Sequence, residues 1–217
     1  MISVWIEPFG ETWYAVAHHG RRLVATATGL DASRAERSLR LSLPGGAPCE
    51  RTMEGSEYWE YARGVTRMLA RLEAGDVEFA AFELCPDCVH EPVASVARVA
   101  SAIPRGFVAT YGGIAVAAGT EARVVGRIMA TNPLYPIIPC HRVVGADLAL
   151  VGYNGRQDRP ALRAKLERLR AEAKGFTKHR TIPALIGGAD LDLYPVEAVL
   201  EKASREDPRD GGQQSLW

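Results

Sequence analysis

Three strand-type segments follow one another within the first 30 residues of the chain. Ile2–Glu7, Thr12–His18 and Arg21–Thr28 are rich in Val, Trp, Tyr and Thr, which favour strands. Pro8-Phe9-Gly10 separates the first two segments, and His19-Gly20 has the composition of a hairpin turn. The N-terminal part is therefore expected to form a three-stranded sheet.

Helical patterns come next along the chain. Asp31 is expected to cap a helix that runs to about Leu41, and Tyr58–Leu72 has apolar residues at the helical period up to Gly75. Val77–Leu84 is apolar enough for a further strand. Residues 1–88 are therefore predicted to form a small N-terminal α/β domain.

Helix signals dominate residues 92–175. Pro92–Ala102 and Pro160–Ala173 each begin with a proline, which suits the first turn of a helix. Between them, Gly113–Ala118 and Thr120–Ala130 are two short helical segments with Gly119 at their junction. Two helices joined by a tight glycine turn form the helix-turn-helix pattern of DNA-binding proteins.

Residues 176–217 form a C-terminal extension of unknown role, with one predicted helix near Pro195–Ser204. The expected fold class is mixed α+β. A small N-terminal domain of sheet and helices precedes a mostly helical C-terminal domain, over residues 92–175, that contains the helix-turn-helix.

Composition narrows the class of protein. Of 217 residues, 47% are apolar and 24% are charged, and no apolar run approaches the length of a membrane span. The N-terminus lacks the basic and apolar regions of a signal peptide, so a cytoplasmic protein without a membrane partner is expected. Because 26 basic residues balance 26 acidic residues, any nucleic-acid site must be a local surface.

Cys140 is a candidate nucleophile. A reactive thiol needs a neighbouring base or cation that lowers its pKa, and His141 and Arg142 follow directly. Pro136 and Pro139 stiffen the backbone before it. The alternative is that Cys140 is a small buried hydrophobic residue and His141 a surface base.

The segment Thr120–Ala130 has two distinct faces. Val124 with Ile128, and Val125 with Met129, are apolar pairs that can face a core. The opposite face carries small and basic residues: Ala122, Arg123, Gly126, Arg127 and Ala130. Such a face suits close approach to a DNA groove with one inserted arginine, although an ordinary solvated face is the alternative.

Several motifs in register over residues 92–155 resemble the O6-alkylguanine-DNA alkyltransferases. The motifs are Ile103-Pro104-Arg105-Gly106, Thr110-Tyr111-Gly112, Ala122-Arg123-Val124-Val125-Gly126, Asn132-Pro133, Ile138-Pro139-Cys140-His141-Arg142-Val143-Val144 and Gly152-Tyr153. The likeness is looser through residue 172, and the first 90 residues match that family only in outline.

The resemblance implies direct-reversal DNA repair. A flipped O6-alkylguanine in double-stranded DNA would transfer its alkyl group irreversibly to Cys140, once per molecule, with no metal or cofactor. His141 would act as the base through a water, and Tyr111 would donate a proton to the leaving guanine. Arg123 would fill the vacated stack, and Asn132 would brace the turn before the cysteine. The DNA-repair role implies a nucleoid-associated protein that acts as a monomer.

A glutamate is expected to orient His141. Glu172 lies seven residues after Lys165, which is the family spacing, but Ala173 stands where that family has glycine. Glu167 is the alternative. The resemblance further assigns Thr110, Ala122, Gly126 and Arg127 to DNA binding, and Tyr135, Val143, Tyr153 and Asn154 to the substrate pocket. Because some relatives have proline at position 135, Tyr135 is predicted to narrow the pocket and to disfavour large O6 groups.

The segment Cys85-Pro86-Asp87-Cys88, with His90 nearby, stands outside these motifs. It could be half of a structural zinc site, a redox pair, a short disulfide or two free thiols. For zinc, the other candidate ligands are Cys49, His18 and His19.

Three other functions have been considered for the same chain. A DNA-lesion sensor without catalysis would have no nucleophile, and Cys140 argues against it. A cysteine hydrolase would turn over and would have no use for Arg123. A regulatory DNA-binding module would not need Tyr111, Cys140 and His141 together.

Overall fold

The computed structural model describes residues 1–45, 47–77, 82–186 and 188–206, the side chain of residue 206 excepted. The chain divides into two compact units. The first contains residues 1–102 and 131–140, and the second contains residues 103–130 and the chain from residue 141 onward. Within the described ranges there are seven α-helices and two four-stranded sheets, so the fold is mixed α+β as predicted.

The sheet of the first unit has the order β3-β2-β1-β4. Strands β1 (Ile2–Phe9), β2 (Thr12–His19) and β3 (Arg22–Gly29) are antiparallel neighbours and confirm the three predicted segments. The sheet has a strand that was not predicted, because β4 (Cys49–Arg51) pairs in parallel with β1. Three residues are too few to show a strand period, so the sequence gives no signal for β4.

Three helices belong to the first unit: α1 (Ala32–Leu41), α2 (Trp59–Ala74) and α3 (Val93–Ser101). Asp31 caps α1 by accepting a hydrogen bond from the Arg34 backbone amide, as its position predicted. Gly75 ends α2 with a left-handed φ of 83°, which glycine adopts without strain. Leu39 on α1 is fully buried in the same core as Ala15 of the sheet.

The predicted strand over Val77–Leu84 falls largely on residues 78–81, which lie outside the described residues. At its end, Leu84 forms a parallel bridge to Leu23 on β3. The end of this segment therefore lies against the edge of the first sheet.

The second unit contains a sheet of order β6-β5-β8-β7. Its strands are β5 (Phe107–Thr110), β6 (Val143–Val144), β7 (Arg180–Ile182) and β8 (Leu191–Pro195). None of them was predicted, because strands of two to five residues leave no readable alternation. Residues beyond 175 supply two of the four strands.

The helices of the second unit are α4 (Tyr111–Ala117), α5 (Ala122–Thr131), α6 (Arg159–Glu172) and α7 (Val196–Glu206). Each coincides with a predicted helix within a few residues. In the turn between α4 and α5, Gly119 has a φ of 64°, and Thr120 donates its amide to the Ala115 carbonyl at 2.8 Å. Over the described part of the chain, no helix combines the length and apolar character that crossing a bilayer requires.

Candidate active site

Cys140 lies at the start of a 3₁₀ turn, Cys140–Arg142, at the end of the loop that follows α5. Its backbone amide donates to the Ile138 carbonyl at 2.9 Å, so the sulfur is carried on a closed turn. The side chain is buried, with 3% of its surface exposed. Burial near a tight turn fixes where the thiol can point and limits what can reach it.

Asn132 holds the beginning of that loop to its end. Its side-chain amide donates to the Ile138 carbonyl at 2.9 Å, and its carbonyl oxygen accepts from the Leu134 amide at 3.4 Å. Its φ of 28° is in the left-handed region, which asparagine tolerates better than most residues. The two ends of the loop before Cys140 are thereby closed by one side chain.

The same loop is fastened to β3 through Thr26. The Thr26 amide donates to the Pro133 carbonyl at 2.9 Å, and its hydroxyl donates to the Tyr135 carbonyl at 2.8 Å. The Tyr135 hydroxyl in turn donates to Glu73 of α2 at 2.7 Å. Glu73 also accepts from Tyr14 at 2.9 Å. Backbone and side chain of Tyr135 are therefore both held by the body of the first unit.

In the second unit, His141 binds Glu172, the last residue of α6. His141 Nε2 and Glu172 Oε1 are 2.9 Å apart, and both side chains are about nine-tenths buried. Glu167, the alternative partner, is exposed and pairs with Arg163 at 3.3 Å on the outer face of α6. Of the two predicted glutamates, the structure brings Glu172 to His141.

Arg142 completes this cluster; the sequence indicated it only as a cation beside Cys140 and did not predict its contact with Glu172. Its guanidinium binds Glu172 at two points, with Nε–Oε2 of 2.9 Å and Nη2–Oε1 of 2.8 Å, and its Nη1 donates to the Ile103 carbonyl at 2.8 Å. A two-point arginine–carboxylate contact is strong and directional. The sequence signal was its adjacency to His141, which reveals a cation but not its partner.

The cluster fixes the protonation states. Burial raises the pKa of Glu172, but hydrogen bonds from His141 and Arg142 outweigh burial and bring it to about 2. Burial lowers the pKa of His141 from 6.5, against the effect of Glu172. At neutral pH the imidazole is therefore neutral. Because a carboxylate only accepts, the proton of that imidazole is on Nε2.

The other ring nitrogen, Nδ1, is consequently an acceptor. It is buried and has no hydrogen-bond partner among the described residues. A buried nitrogen lone pair without a partner costs free energy and is a feature of catalytic bases. Nδ1 of His141 is therefore a buried acceptor that could take a proton.

Tyr111 is the first residue of α4 and follows the N-cap residue Thr110. The Thr110 hydroxyl accepts a hydrogen bond from the Gly113 amide at 2.9 Å. The Tyr111 hydroxyl donates to the Val151 carbonyl at 3.3 Å, and the ammonium of Lys165 lies 5.9 Å from the centre of its ring. The phenol is thus held by the chain just before Gly152.

The residues predicted to line the substrate pocket differ in exposure. Val143 and Tyr153 are buried, whereas Asn154 is exposed in a turn with a φ of 50°. Tyr153 and Arg156 exchange backbone hydrogen bonds at 2.8 and 3.0 Å across this turn. The turn is therefore a defined structure in the second unit.

Lys165 is fully buried, which is rare for lysine and was not anticipated. Its ammonium donates to the Val143 carbonyl at 2.5 Å and to the Gly152 carbonyl at 3.1 Å. It joins the strand after the 3₁₀ turn to the loop before Tyr153. In the sequence analysis, Lys165 was used only as the position from which the spacing to Glu172 was counted.

Helix α5 presents the predicted polar face to solvent. Arg123 and Arg127 are exposed, as is Ala122, while Val125 and Met129 are buried on the other side. A Cβ built on Gly126 meets no atom within 4 Å, so the surface there is open. The exposed face of α5 therefore combines small residues with two arginines.

Comparisons with known proteins define the class. The family model described as "6-O-methylguanine DNA methyltransferase, DNA binding domain" matches residues 92–174. The chain is 57% identical over 53 residues to a methylated-DNA--protein-cysteine methyltransferase of Pyrobaculum aerophilum, covering 24% of this chain and 36% of the relative. It is 36% identical over 110 residues to the protein of the same name from Methanosarcina acetivorans, covering 50% and 70%.

Two solved structures agree with these relatives. O6-methylguanine-DNA methyltransferase of Pyrococcus kodakaraensis has a TM-score of 0.52 and 26% identity, covering 77% of this chain and 98% of that one. Mycobacterium tuberculosis OGT in complex with DNA has the same score and identity, covering 80% and 95%. The chain belongs to the O6-methylguanine-DNA methyltransferase family. Against the first curated relatives, however, the alignments span only 36% and 47% of those proteins' own length.

Proposed function

We propose that this protein repairs O6-alkylguanine in double-stranded DNA by transferring the alkyl group to Cys140. The observation that carries the proposal is the buried His141–Glu172 hydrogen bond directly after Cys140 in the same turn. The contact with Glu172 leaves Nδ1 of the neutral His141 imidazole as an acceptor. His141 directly follows the proposed nucleophile Cys140 in the sequence. Glu172, His141 and Cys140 would then act as the orienting residue, the base and the nucleophile of a catalytic triad.

The proposed reaction conserves atoms and charge. His141 Nδ1 takes the Cys140 proton through a water, and the thiolate attacks the alkyl carbon. A sulfur–carbon bond forms while the carbon–O6 bond breaks, and its electron pair stays on guanine. Tyr111 donates a proton to the guanine, which then leaves as a neutral molecule. Solvent then returns a proton to Tyr111 and removes the extra proton from His141, but the thioether persists, so each molecule acts once.

DNA would be bound through α4 and α5 as a helix-turn-helix. A base inside a duplex is inaccessible to a nucleophile, so the alkylated nucleotide must be flipped out at a cost of a few kcal/mol. Arg123 is proposed to occupy the space that the flipped base leaves in the base stack. The small residues Ala122 and Gly126 would allow α5 to approach the DNA closely enough for this insertion. Thr110 and Arg127 would contact the backbone. Such contacts carry no sequence preference, consistent with a protein that meets lesions anywhere.

The proposal includes a division into a 1–88 domain, a 92–175 DNA-binding and transfer domain, and a 176–217 extension. It further includes action as a monomer at the nucleoid. Tyr135, Val143, Tyr153 and Asn154 are proposed to surround the flipped base.

Mass spectrometry after incubation with a duplex containing O6-methylguanine tests the function. We expect one added methyl group, located on Cys140, and no further repair once every molecule carries it. Cys140→Ala should abolish transfer but retain DNA binding, whereas Cys49→Ala, at a cysteine remote in sequence, should react normally. Repair of many lesions per molecule would contradict the proposal and favour the hydrolase. DNA binding without any transfer would favour the sensor, and methylation of another cysteine would contradict the role of Cys140.

A further inference from the structure

Three potential metal ligands come together in the first unit, apart from the residues proposed for alkyl transfer. They are His19 at the end of β2 and the two cysteines of the segment after residue 84, Cys85 and Cys88. One ligand atom of each lies within 4.8 Å of the others. Two thiols and an imidazole are the ligand types that zinc prefers.

Backbone contacts that are independent of these side chains create the cluster. The Leu23 amide donates to the Glu83 carbonyl at 2.7 Å, and the Cys85 amide donates to the Leu23 carbonyl at 2.8 Å. These bonds attach the cysteine segment to β3, whose first residue, Arg22, pairs with His19. Residues 66 positions apart are thus placed together by the fold itself.

A tight turn places the two cysteines side by side. The amides of Cys88 and Val89 both donate to the Cys85 carbonyl, at 3.1 and 2.8 Å. Cys85 is buried, Cys88 is half-buried and His19 is exposed, so the cluster opens to solvent on one side. This arrangement leaves a fourth coordination position accessible from solvent.

The distances fit a tetrahedral ion after one small adjustment. Zn–S bonds of about 2.3 Å and Zn–N bonds of about 2.0–2.1 Å place two sulfurs about 3.8 Å apart and a sulfur and a nitrogen about 3.6 Å apart. Cys85 Sγ and His19 Nδ1 are 3.7 Å apart. The two sulfurs are 2.8 Å apart, and rotation of the half-buried Cys88 about χ1 can open that distance.

The other candidate ligands have different partners. His18 uses Nδ1 toward the Gly20 carbonyl and Nε2 toward the Thr52 hydroxyl, each at 2.9 Å. The sulfur of Cys49 accepts from Arg40 at 3.1 Å. His90 is exposed and is not a member of the cluster. Free thiols would leave a weak Cys85–His19 contact of 3.7 Å, whereas one bound ion would use His19 and both cysteines together.

We infer that His19, Cys85 and Cys88 bind one Zn²⁺, with the fourth position filled from solvent. Both thiols lose their protons to solvent as the two zinc–sulfur bonds form, and His19 binds through neutral Nδ1. The ion would join the β2–β3 hairpin to the turn that follows residue 84. Bound metal would therefore stabilise the first unit.

Zinc content and cobalt spectra of the reduced full chain test this inference. The wild-type protein should bind one Zn²⁺ per chain, and Co²⁺ should give the absorption of a tetrahedral ion with thiolate ligands. Cys85→Ser, Cys88→Ser and His19→Asn should each lower the affinity at least tenfold. Cys49→Ser, His90→Asn and Cys140→Ser are matched controls that should retain one metal. His19→Asn changes an exposed side chain, so misfolding does not obscure its result.

Thermal unfolding provides an independent readout. A chelator should lower the Tm of the wild-type protein and of the Cys49→Ser control but leave that of Cys88→Ser unchanged. Absence of zinc from the reduced wild-type protein would overturn the inference, and so would equal binding by His19→Asn. A Cys85–Cys88 disulfide that survives added zinc and reductant would overturn it as well.

Discussion

Arg142 and Glu172 form a two-point ion pair, with nitrogen–oxygen distances of 2.9 and 2.8 Å and about a tenth of each side chain exposed. The pair keeps Glu172 ionised, and an ionised Glu172 accepts the Nε2 proton of His141. Arg142 therefore supports the tautomer of His141 through Glu172, a contact that the sequence did not predict.

Glu172→Gln is expected to slow alkyl transfer at least tenfold and to destabilise the protein. A glutamine places an amide donor against the donors of Arg142 and leaves that cation buried without a counter-ion. Breaking a buried ion pair from one side costs about 3–5 kcal/mol. Single-turnover transfer and urea unfolding measure the two effects.

Glu167→Gln is the matched control for this change. It removes a carboxylate from the same helix, but one that is exposed and pairs with Arg163 at the surface. Transfer and stability should stay at wild-type values. Equal loss of transfer in both variants would show that Glu172 has no special role.

Stability should fall in acid because of the same cluster. Glu172 titrates at about 2 in the folded protein against 4.5 ordinarily, so its contribution, about 3 kcal/mol, is present above pH 4.5 and lost between pH 4.5 and 2. His141 also has a lowered pKa, so protonation of the unfolded chain below pH 6.5 reduces stability further. Urea unfolding at stepped pH should show both losses, and Glu172→Gln should lack the one below pH 4.5. A wild-type curve with no steeper fall than the variant's would contradict this assignment.

Tyr135 provides a test of substrate size. If its ring narrows the pocket, a benzylguanine substrate should label wild-type Cys140 more slowly than a methylated duplex reacts. Tyr135→Phe loses the hydrogen bond to Glu73 but keeps the ring, so benzyl labelling should remain slow. Tyr135→Ala should accelerate it. Equally fast benzyl and methyl transfer by the wild type would refute the prediction.

Arg123 should matter only when the base is stacked in a duplex. Arg123→Ala is expected to slow repair of O6-methylguanine in duplex DNA at least tenfold, while reaction with the free base changes little. Arg163→Ala removes a similarly exposed arginine from α6 and serves as the control for a general loss of charge. A proportional loss on duplex and free base would argue against insertion of Arg123 into the stack.

Long elements were predictable from the sequence and short ones were not. Helix α1 is defined locally by Asp31 and by its periodic apolar residues, and α2 ends where Gly75 can adopt a left-handed conformation. Strand β6 has two residues and exists only because β5 lies beside it. Pairing between distant segments is a tertiary effect that no local pattern records.

The residues of the candidate active site were likewise only partly predictable from the sequence. Cys140 and His141 could be selected as an adjacent thiol and imidazole, whereas Glu172 was selected over Glu167 by the spacing that the family resemblance implies. The roles of Arg142 and Lys165 were hidden, because a cation in a sequence is usually solvated and only the fold shows that these two are buried. The choice of His19 over His18 near the cysteines likewise required the register of the β2–β3 hairpin.

Strand β8 lies between β5 and β7 in the second sheet, although the matched family segment ends at residue 174. Shortening the chain to the limits of sequence similarity would therefore remove an interior strand and expose the backbone donors and acceptors of Phe107 and Val108. Such a fragment should aggregate through that bare edge, so reporter fusions or minimal versions of this protein need to retain the chain through α7.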